Sequence, residues 1–422
     1  MKIRMTLSQA RKVILIFAFL IVSFGIGFYL GQRRLEISFS NYKPKVTLER
    51  KVPLGKEDVS FSLFWQVWDK LEQSYLDKSK IDPQKMVYGA ISGMVSSLGD
   101  PYTAFLPPQE QKQSKEDLSG AFEGVGIQLG FKDSKVAVIA PLSGTPAEKA
   151  GVKAGDLILR IKDEAKNIDK ETAEISLPEA VTIIRGPQGS KVTLTIFRED
   201  KGEFEVELIR QTIVVKSVEV SFKDDIAHLK LLRFGERTYE EWEEAVSEIE
   251  ERKAKGEVGG IVLDLRNNPG GFLDGAVFIT SEFLKEGVVV KQEKSRDGGV
   301  ETFSINRKGR LLNDPLVVLI NQGSASASEI VAGALQERGR AKVVGEKSFG
   351  KGTIQEAEEL LGGSGLHITV AKWLLPSGKN IDKEGIKPDF EVKMDEKDSP
   401  RGEAGQTRDP QLEKAIEILT NQ

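Results

Sequence analysis

Leu316-Val-Val-Leu-Ile-Asn-Gln-Gly-Ser-Ala-Ser-Ala-Ser-Glu329 joins five apolar residues to a short turn and to a helical pattern running from Ser326 to Arg338, closed by Gly339. Five aliphatic residues bounded by a turn read as a strand buried on both faces, as in a parallel sheet. Strand, tight turn and helix in that order make an elbow that lifts one side chain above a sheet edge. A serine at the first helical turn meets unpaired backbone N–H groups and the positive end of the helix dipole, and both favour a developing negative charge. Ser326 is the candidate nucleophile on this reading, with Ala327 N–H as an oxyanion donor. Ser324 reads as a helix cap and Ser328 as a helix-face residue.

Around this elbow, strands and helices alternate. Ile226 to Leu232 reads as a strand, Tyr239 to Lys255 as an acidic amphipathic helix and Gly260 to Leu265 as a buried strand. Gly275 to Leu284 is helical, and Val343-Val344 begins a further strand. Such alternation predicts an α/β core with parallel pairing, here over 209–395. Asp264-Leu-Arg-Asn-Asn-Pro-Gly-Gly271 follows one buried strand, and its Pro-Gly-Gly turn leaves N–H groups free to face a ligand. Gly270 and Gly271 are both candidates for a second oxyanion donor.

A serine nucleophile needs a base. The chain has 422 residues, no cysteine and only two histidines, His228 and His367, both within strand patterns and read as structural or exposed. A serine served by a lysine is then the economical pairing, and Lys351, in Ser348-Phe-Gly-Lys-Gly352, is the candidate base. A lysine must be neutral to accept a proton, and bringing it from about 10.4 to near neutrality takes about 4 kcal/mol of desolvation. Gly350 and Gly352 allow the close backbone approach that such burial requires. If 351–355 is extended, Lys351, Thr353 and Gln355 share a face, and the Gln355 amide can hold the lysine.

Sixty basic and sixty-four acidic residues give a net charge of −4 without a basic block, which argues against nucleic acid. No metal cluster or nucleotide loop emerges, so no cofactor and no metal is expected. From Val13 to Gly31 nineteen residues carry no charge, enough for a helix across the ~30 Å hydrocarbon core. Lys2, Arg4, Arg11 and Lys12 precede it, which keeps that end cytoplasmic and places the rest outside, despite Arg33 and Arg34. No small-residue cleavage site follows, so an uncleaved anchor over 1–34 is expected. Extended chain from Ile37 to Asp58, helices over Phe61 to Leu71 and Pro83 to Leu98, a turn-rich exit through Pro108 and a polar link over 109–119 follow. The segment 35–112 thus reads as a small helical domain. The charged stretch from Val392 to Arg408 reads as flexible and Gln411 to Leu419 as a terminal helix, together a tail over 396–422.

The segment 113–208 has its own pattern. Gly124-Val-Gly-Ile127 opens a strand, Thr145-Pro-Ala-Glu148 and Ser176-Leu-Pro-Glu179 are capping boxes, and strands cover Asp156 to Ile161 and Val192 to Phe197. The segment resembles a PDZ domain on Gly124 to Ile127 and on Ser143-Gly-Thr-Pro-Ala-Glu-Lys-Ala-Gly-Val-Lys-Ala-Gly-Asp156. Backbone N–H groups of Gly124, Val125, Gly126 and Ile127 would then hold a terminal carboxylate, and the strand edge would pair with the peptide.

Leu263 to Gly271, Ser324 to Ile330 and Phe349-Gly-Lys-Gly-Thr-Ile-Gln355 resemble the signature blocks of the carboxyl-terminal processing peptidases. Gly99-Asp-Pro-Tyr-Thr-Ala-Phe105 and Trp373-Leu-Leu-Pro-Ser-Gly378 match as well, so the resemblance spans about 61–392. It implies a multidomain α/β chain with a serine-protease core of the ClpP/crotonase-like type. Ser326 would be nucleophile, Lys351 general base, Gln355 the residue orienting it, and Ala327 with Gly270 or Gly271 the oxyanion hole. It also implies cleavage of exported proteins near free C-termini, in the periplasm or at the cell exterior, with the PDZ module reading the tail. A homodimer through the helical domain and tail is a further expectation. The rivals are weaker. A Ser-x-x-Lys helix at Ser348 is opposed by Gly350 and Gly352, and a membrane-tethered PDZ adaptor with an inactive core should lack Ser326, Lys351 or Gln355.

Overall fold

The computed structural model describes residues 34–40, 43–49, 60–132, 135–294, 298–394 and 408–421, together with Phe17, Phe19 and Ser23. The chain divides after Val87 into two units. In the first, β1 (Arg34–Ser40) and β2 (Lys43–Glu49) pair antiparallel, which realises part of the extended reading. α1 (Ser62–Ser74) carries Phe64, Trp65 and Trp68 in mutual ring contact at 5.1 to 5.9 Å, yet none of its residues is buried. α2 (Pro83–Ser96) starts with proline, and the Asp82 carboxylate accepts from the Gln84 and Lys85 N–H groups. Among the described residues no helix is long and apolar enough to cross a membrane. The expected anchor over 13–31 lies almost wholly outside them.

The unit boundary falls within α2, and the second unit runs on from Tyr88 into β3 (Ala104–Leu106) and α3 (Pro108–Ser119). The helix corrects the reading of 109–119 as a polar link. Proline at its first position and Glu110 in the first turn suit a helix start, but a nearly all-polar sequence leaves no apolar period to find.

The next module comprises β4 (Ala121–Gly124), β5 (Ile127–Lys132), β6 (Lys135–Pro141), α4 (Pro146–Lys149), β7 (Leu157–Asp163), β8 (Ile168–Glu171), α5 (Leu177–Ile184), β9 (Lys191–Arg198) and β10 (Gly202–Ile209). Its sheet runs β10-β9-β7-β6-β5, so β5 is an edge. Val138, Ile158, Ile161, Leu194 and Ile196 pack inward against Ala180 and Ile183 of α5, the three-residue step from Ile158 to Ile161 spanning a register shift in β7. Ser176 caps α5 as expected, accepting from Glu179 N–H at 3.3 Å. Thr145 does not cap α4: its hydroxyl donates to Leu142 O at 2.6 Å, and Glu148 instead accepts from Gly144 N–H. β11 (Gln211–Val214) returns to pair with β4, closing the module at its neck. The fully buried Arg210 beside that neck donates to Asp163 and to the carbonyls of Ile183, Ile184 and Lys191.

The remaining elements are β12 (Val218–Lys223), β13 (Ile226–Leu231), α6 (Thr238–Ala254), β14 (Gly260–Asp264), α7 (Leu273–Phe283), β15 (Val288–Lys294), β16 (Val300–Ser304), β17 (Leu316–Ile320), α8 (Ala327–Glu337), β18 (Lys342–Gly345), β19 (Thr353–Glu359), β20 (Gly365–Leu374), β21 (Phe390–Glu391) and α9 (Pro410–Thr420). One sheet runs β12-β13-β14-β17-β18-β21, parallel from β13 onward. Strands β14 and β17 are buried along their whole length. Ile261, Leu263, Leu316 and Val318 face the core built with α6, α7 and α8. Val262, Val317, Leu319 and Val344 face Ala415 and Leu419 of α9. The terminal helix expected from the sequence therefore covers one face of the central sheet. Arg266 fixes it there through Asp409 at 2.9 Å and Gln411 at 3.0 Å. A second sheet, β16-β15-β20-β19 with β3 against β20, stands beside the first.

Candidate active site

Three loops meet at the carboxyl ends of the adjacent parallel strands β14, β17 and β18, where open α/β sheets characteristically bind ligands. The first two are stitched together by asparagines. Asn268, fully buried, donates to Leu231 O at 2.6 Å, and its carbonyl accepts from Ala325 N–H and the Ser328 hydroxyl. Asn321 donates to Asn267 Oδ1 and accepts from Asn267 N–H.

Ser326 sits on this scaffold with φ 55° and ψ −115°, a left-handed strained conformation for a residue with a Cβ. The neighbouring serines are buried and already bonded: Ser324 donates to Leu265 O and Ser328 to Asn268 O. Ser326 is half-buried and lines a cavity of about 940 Å³ together with Ala327, Gly270, Gly271, Lys351 and Gln355. The structure thus brings all six core residues singled out from the sequence to one cavity.

Sequence reading missed Glu329. Its side chain is fully buried, and its Oε2 accepts from Ser326 N–H at 2.8 Å and Lys351 N–H at 3.0 Å. Its Oε1 accepts from Gly350 N–H at 2.7 Å and the Ser348 hydroxyl at 2.6 Å. One carboxylate therefore ties the backbone of the serine elbow to that of the lysine loop. The signal in the sequence was its place three residues after Ser326, which reads only as a local cap.

Lys351 is half-buried, and burial holds its ammonium below the ordinary lysine value against the opposing pull of Asp100 and Glu329. A Cβ on Gly350 would meet Gly385 N at 3.0 Å, and one on Gly352 would meet Asp382 Cβ at 2.7 Å, so both glycines permit the close packing. Lys351 Nζ stands 5.2 Å from the centre of the Tyr102 ring. Among the hydrogen bonds of the described residues, none joins it to Ser326 Oγ. Gln355 Nε2 donates to Thr353 Oγ1 at 2.9 Å and Thr369 Oγ1 at 3.1 Å, across a register shift between β19 and β20. His228 bonds to the buried Asp264 at 2.9 Å, in keeping with a structural role. His367 lines the cavity, and burial and then the Lys351 charge lower its pKa.

The two glycines differ. Gly270 has φ 97°, and a Cβ there would stand 2.8 Å from Ser326 Cβ, but its N–H already donates to Asn268 Oδ1 at 2.9 Å. Gly271 follows with φ 140°, bridged to Phe234.

In the module, Gly124 ends β4, and Val125 and Gly126 connect it to Ile127 at the start of the edge strand β5. Gly126 has φ 77°, and a Cβ would meet Thr145 Cβ at 2.3 Å. Between module and cavity lies α3. Its Gln113, Ser114 and Asp117 line the cavity, while Gln109 donates to Thr182 Oγ1 of α5 at 2.8 Å and Glu116 accepts from Arg185 at 3.0 Å.

Family models match three regions: "Peptidase family S41" over residues 225–392, "PDZ domain" over 138–198 and "Activating protease CtpB N-terminal domain" over 21–109. The carboxy-terminal processing protease CtpA of Bacillus subtilis is 36% identical over 338 residues, covering 80% of this chain and 70% of that one. The carboxy-terminal-processing protease of Bartonella bacilliformis is 38% identical over 333 residues, 78% of this chain and 74% of the other. A solved structure from Bacteroides fragilis, described as an S41 protease, shares the fold with a TM-score of 0.52 at 18% identity, over 84% of this chain and 97% of that one. The chain belongs to peptidase family S41, as a PDZ-containing carboxy-terminal processing serine protease.

Proposed function

We propose that Ser326 and Lys351 form the catalytic dyad of this peptidase. The observation that carries the reading is one strained serine at a helix start, facing the same cavity as a partly buried lysine whose ammonium burial disfavours. Lys351 Nζ takes the Ser326 proton as Oγ attacks the scissile carbonyl, once the lysine side chain has turned toward the serine. The oxyanion receives Ala327 N–H and Gly271 N–H, since Gly270 N–H is already engaged by Asn268. The amine leaves with the proton held on Lys351, and water then hydrolyses the acyl-serine by the reverse path. Gln355 lines the cavity beside Lys351 and holds the amine in position.

Substrates are polypeptides with free C-termini, captured over Gly124, Val125, Gly126 and Ile127 with the chain paired along β5. The open edge of β5 and the α5 wall support this, and α3 touches both the wall and the catalytic cavity. Module limits of 113–208 and core limits of 209–395 accompany this reading. A peptide with a free carboxylate is expected to be cleaved with kcat/KM about tenfold above its amide, because charge-assisted bonds to the carboxylate are lost. Equal rates for the two would reject tail capture.

The chain is anchored by 13–31 with its catalytic part outside the cytoplasm, and it pairs as a homodimer through the uncovered aromatic face of α1, where Trp65 and Leu63 are more than half exposed. Full-length protein is expected in the membrane fraction and, in detergent, to sediment at twice the chain mass. Recovery in the soluble fraction rejects the anchor, and a monomer at all concentrations rejects the pairing.

A further inference from the structure

The turn Gly99-Asp-Pro-Tyr-Thr-Ala-Phe105 has no part in the reading above, yet it is built against the lysine. Asp100 Oδ2 accepts from the Thr103 hydroxyl at 2.6 Å, and Asp100 Oδ1 accepts from Tyr102 N–H at 3.0 Å. Thr103 Oγ1 accepts from Thr369 N–H at 3.0 Å, and Thr369 Oγ1 accepts from Gln355 at 3.1 Å. β3 continues the turn and pairs with β20, Ala104 opposite His367. The turn is thereby held in register with the strands behind Lys351, and its one aromatic side chain before Phe105, Tyr102, carries its ring 5.2 Å from Lys351 Nζ.

We propose that Tyr102 is a positioning residue that covers the Lys351 amine, excluding water from one side and holding Nζ until substrate arrives. The inference rests on Lys351 being the base. A ring face attracts an ammonium, but the quadrupole replaces only part of what hydration supplies, so the net effect of the cover is to favour the neutral amine. The charged and titratable groups around this pair are Asp100 on the same turn, Glu329 of α8 and His367 of β20, with Asp382 close enough to act on the Tyr102 phenol. Both carboxylates near Lys351 favour its charged form, so the cover opposes them. Burial also raises the Tyr102 phenol, which keeps the ring neutral where the enzyme works.

The test compares the pH dependence of kcat/KM for wild type, Tyr102→Phe and Tyr102→Ala. The acid limb, where Lys351 loses its proton, is expected to stay in place in Tyr102→Phe and to move up by about one pH unit in Tyr102→Ala as water reaches the ammonium. A second measurement needs no activity. In the Ser326→Ala background, the pH midpoint for acetylation of Lys351 by acetic anhydride, read by peptide mass spectrometry, should shift upward by the same amount when Tyr102 is replaced by alanine and not by phenylalanine. If Tyr102→Ala does not fold, Tyr102→Leu takes its place, with the same shift expected. Unchanged midpoints in the alanine or leucine variant overturn the proposal, as does an equal shift in Tyr102→Phe. Retained cleavage in Lys351→Ala would instead reject the dyad, and the acetylation midpoint would still report on the cover.

Discussion

Ser326→Ala is expected to lower kcat/KM for peptide cleavage by about 10⁴-fold or more, and Lys351→Met by a comparable factor, with the double variant no worse than either. The non-additivity is the informative part. A nucleophile without its base and a base without its nucleophile each lose the same step, so removing the second partner takes away little more. Methionine is chosen because it keeps the length of the half-buried lysine stem, so lost packing does not imitate lost chemistry. Wild-type activity should rise with pH through the Lys351 pKa, since the protonated amine cannot accept the serine proton. Burial places that limb below the ordinary lysine range. Two results would sink the dyad: full activity in either variant, or losses that multiply in the double variant. Tail binding without cleavage in wild type would favour the adaptor reading.

Much of this site was legible because it rests on local rules. The five-residue run at 316–320 had to be buried on both faces, and strand, turn and helix together singled out Ser326 among three serines. Glycines at 350 and 352 announced a backbone in close contact without saying with what; the partner is the 382–385 loop. The rest depends on contacts between segments far apart in the chain. Helix α3 was hidden because its polar faces carry no period, although it lines the cavity and touches the PDZ module. His367 was assigned to a strand correctly, but alternation alone does not say which face of that strand meets a cavity. Strand parity also failed to settle Gln355, because a register shift follows Ile354 and the amide bonds to Thr353 and Thr369. What distinguishes Gly270 from Gly271 is the Asn268 side chain that engages the Gly270 N–H, and no spacing rule places it.

Glu329→Gln is expected to lower kcat by about 10²-fold and to destabilise the fold by about 3 kcal/mol, while moving the acid limb of activity to lower pH. Each carboxylate oxygen of Glu329 accepts two hydrogen bonds, Oε1 from Gly350 N–H and the Ser348 hydroxyl, Oε2 from Ser326 N–H and Lys351 N–H. A glutamine amide has one acceptor oxygen, so whichever way it turns, its NH₂ faces a pair of donors in a site closed to water. The Ser348 hydroxyl offers little relief as an alternative acceptor, because it already accepts from Ile386 N–H at 2.6 Å. The serine elbow or the lysine loop must then move, and a displacement on the order of 1 Å between reacting groups is enough for the expected loss in rate. The pH effect has the opposite sense. The Glu329 charge favours protonated Lys351, so its removal makes the neutral amine easier to form and shifts the limb downward. A glutamate whose charge did not reach Lys351 would lower stability and rate without moving that limb toward acid. Slower turnover together with an acid-shifted limb, measured on protein shown by its melting temperature to be folded, would establish that one buried carboxylate holds nucleophile and base in register; wild-type kcat in Glu329→Gln would rule it out.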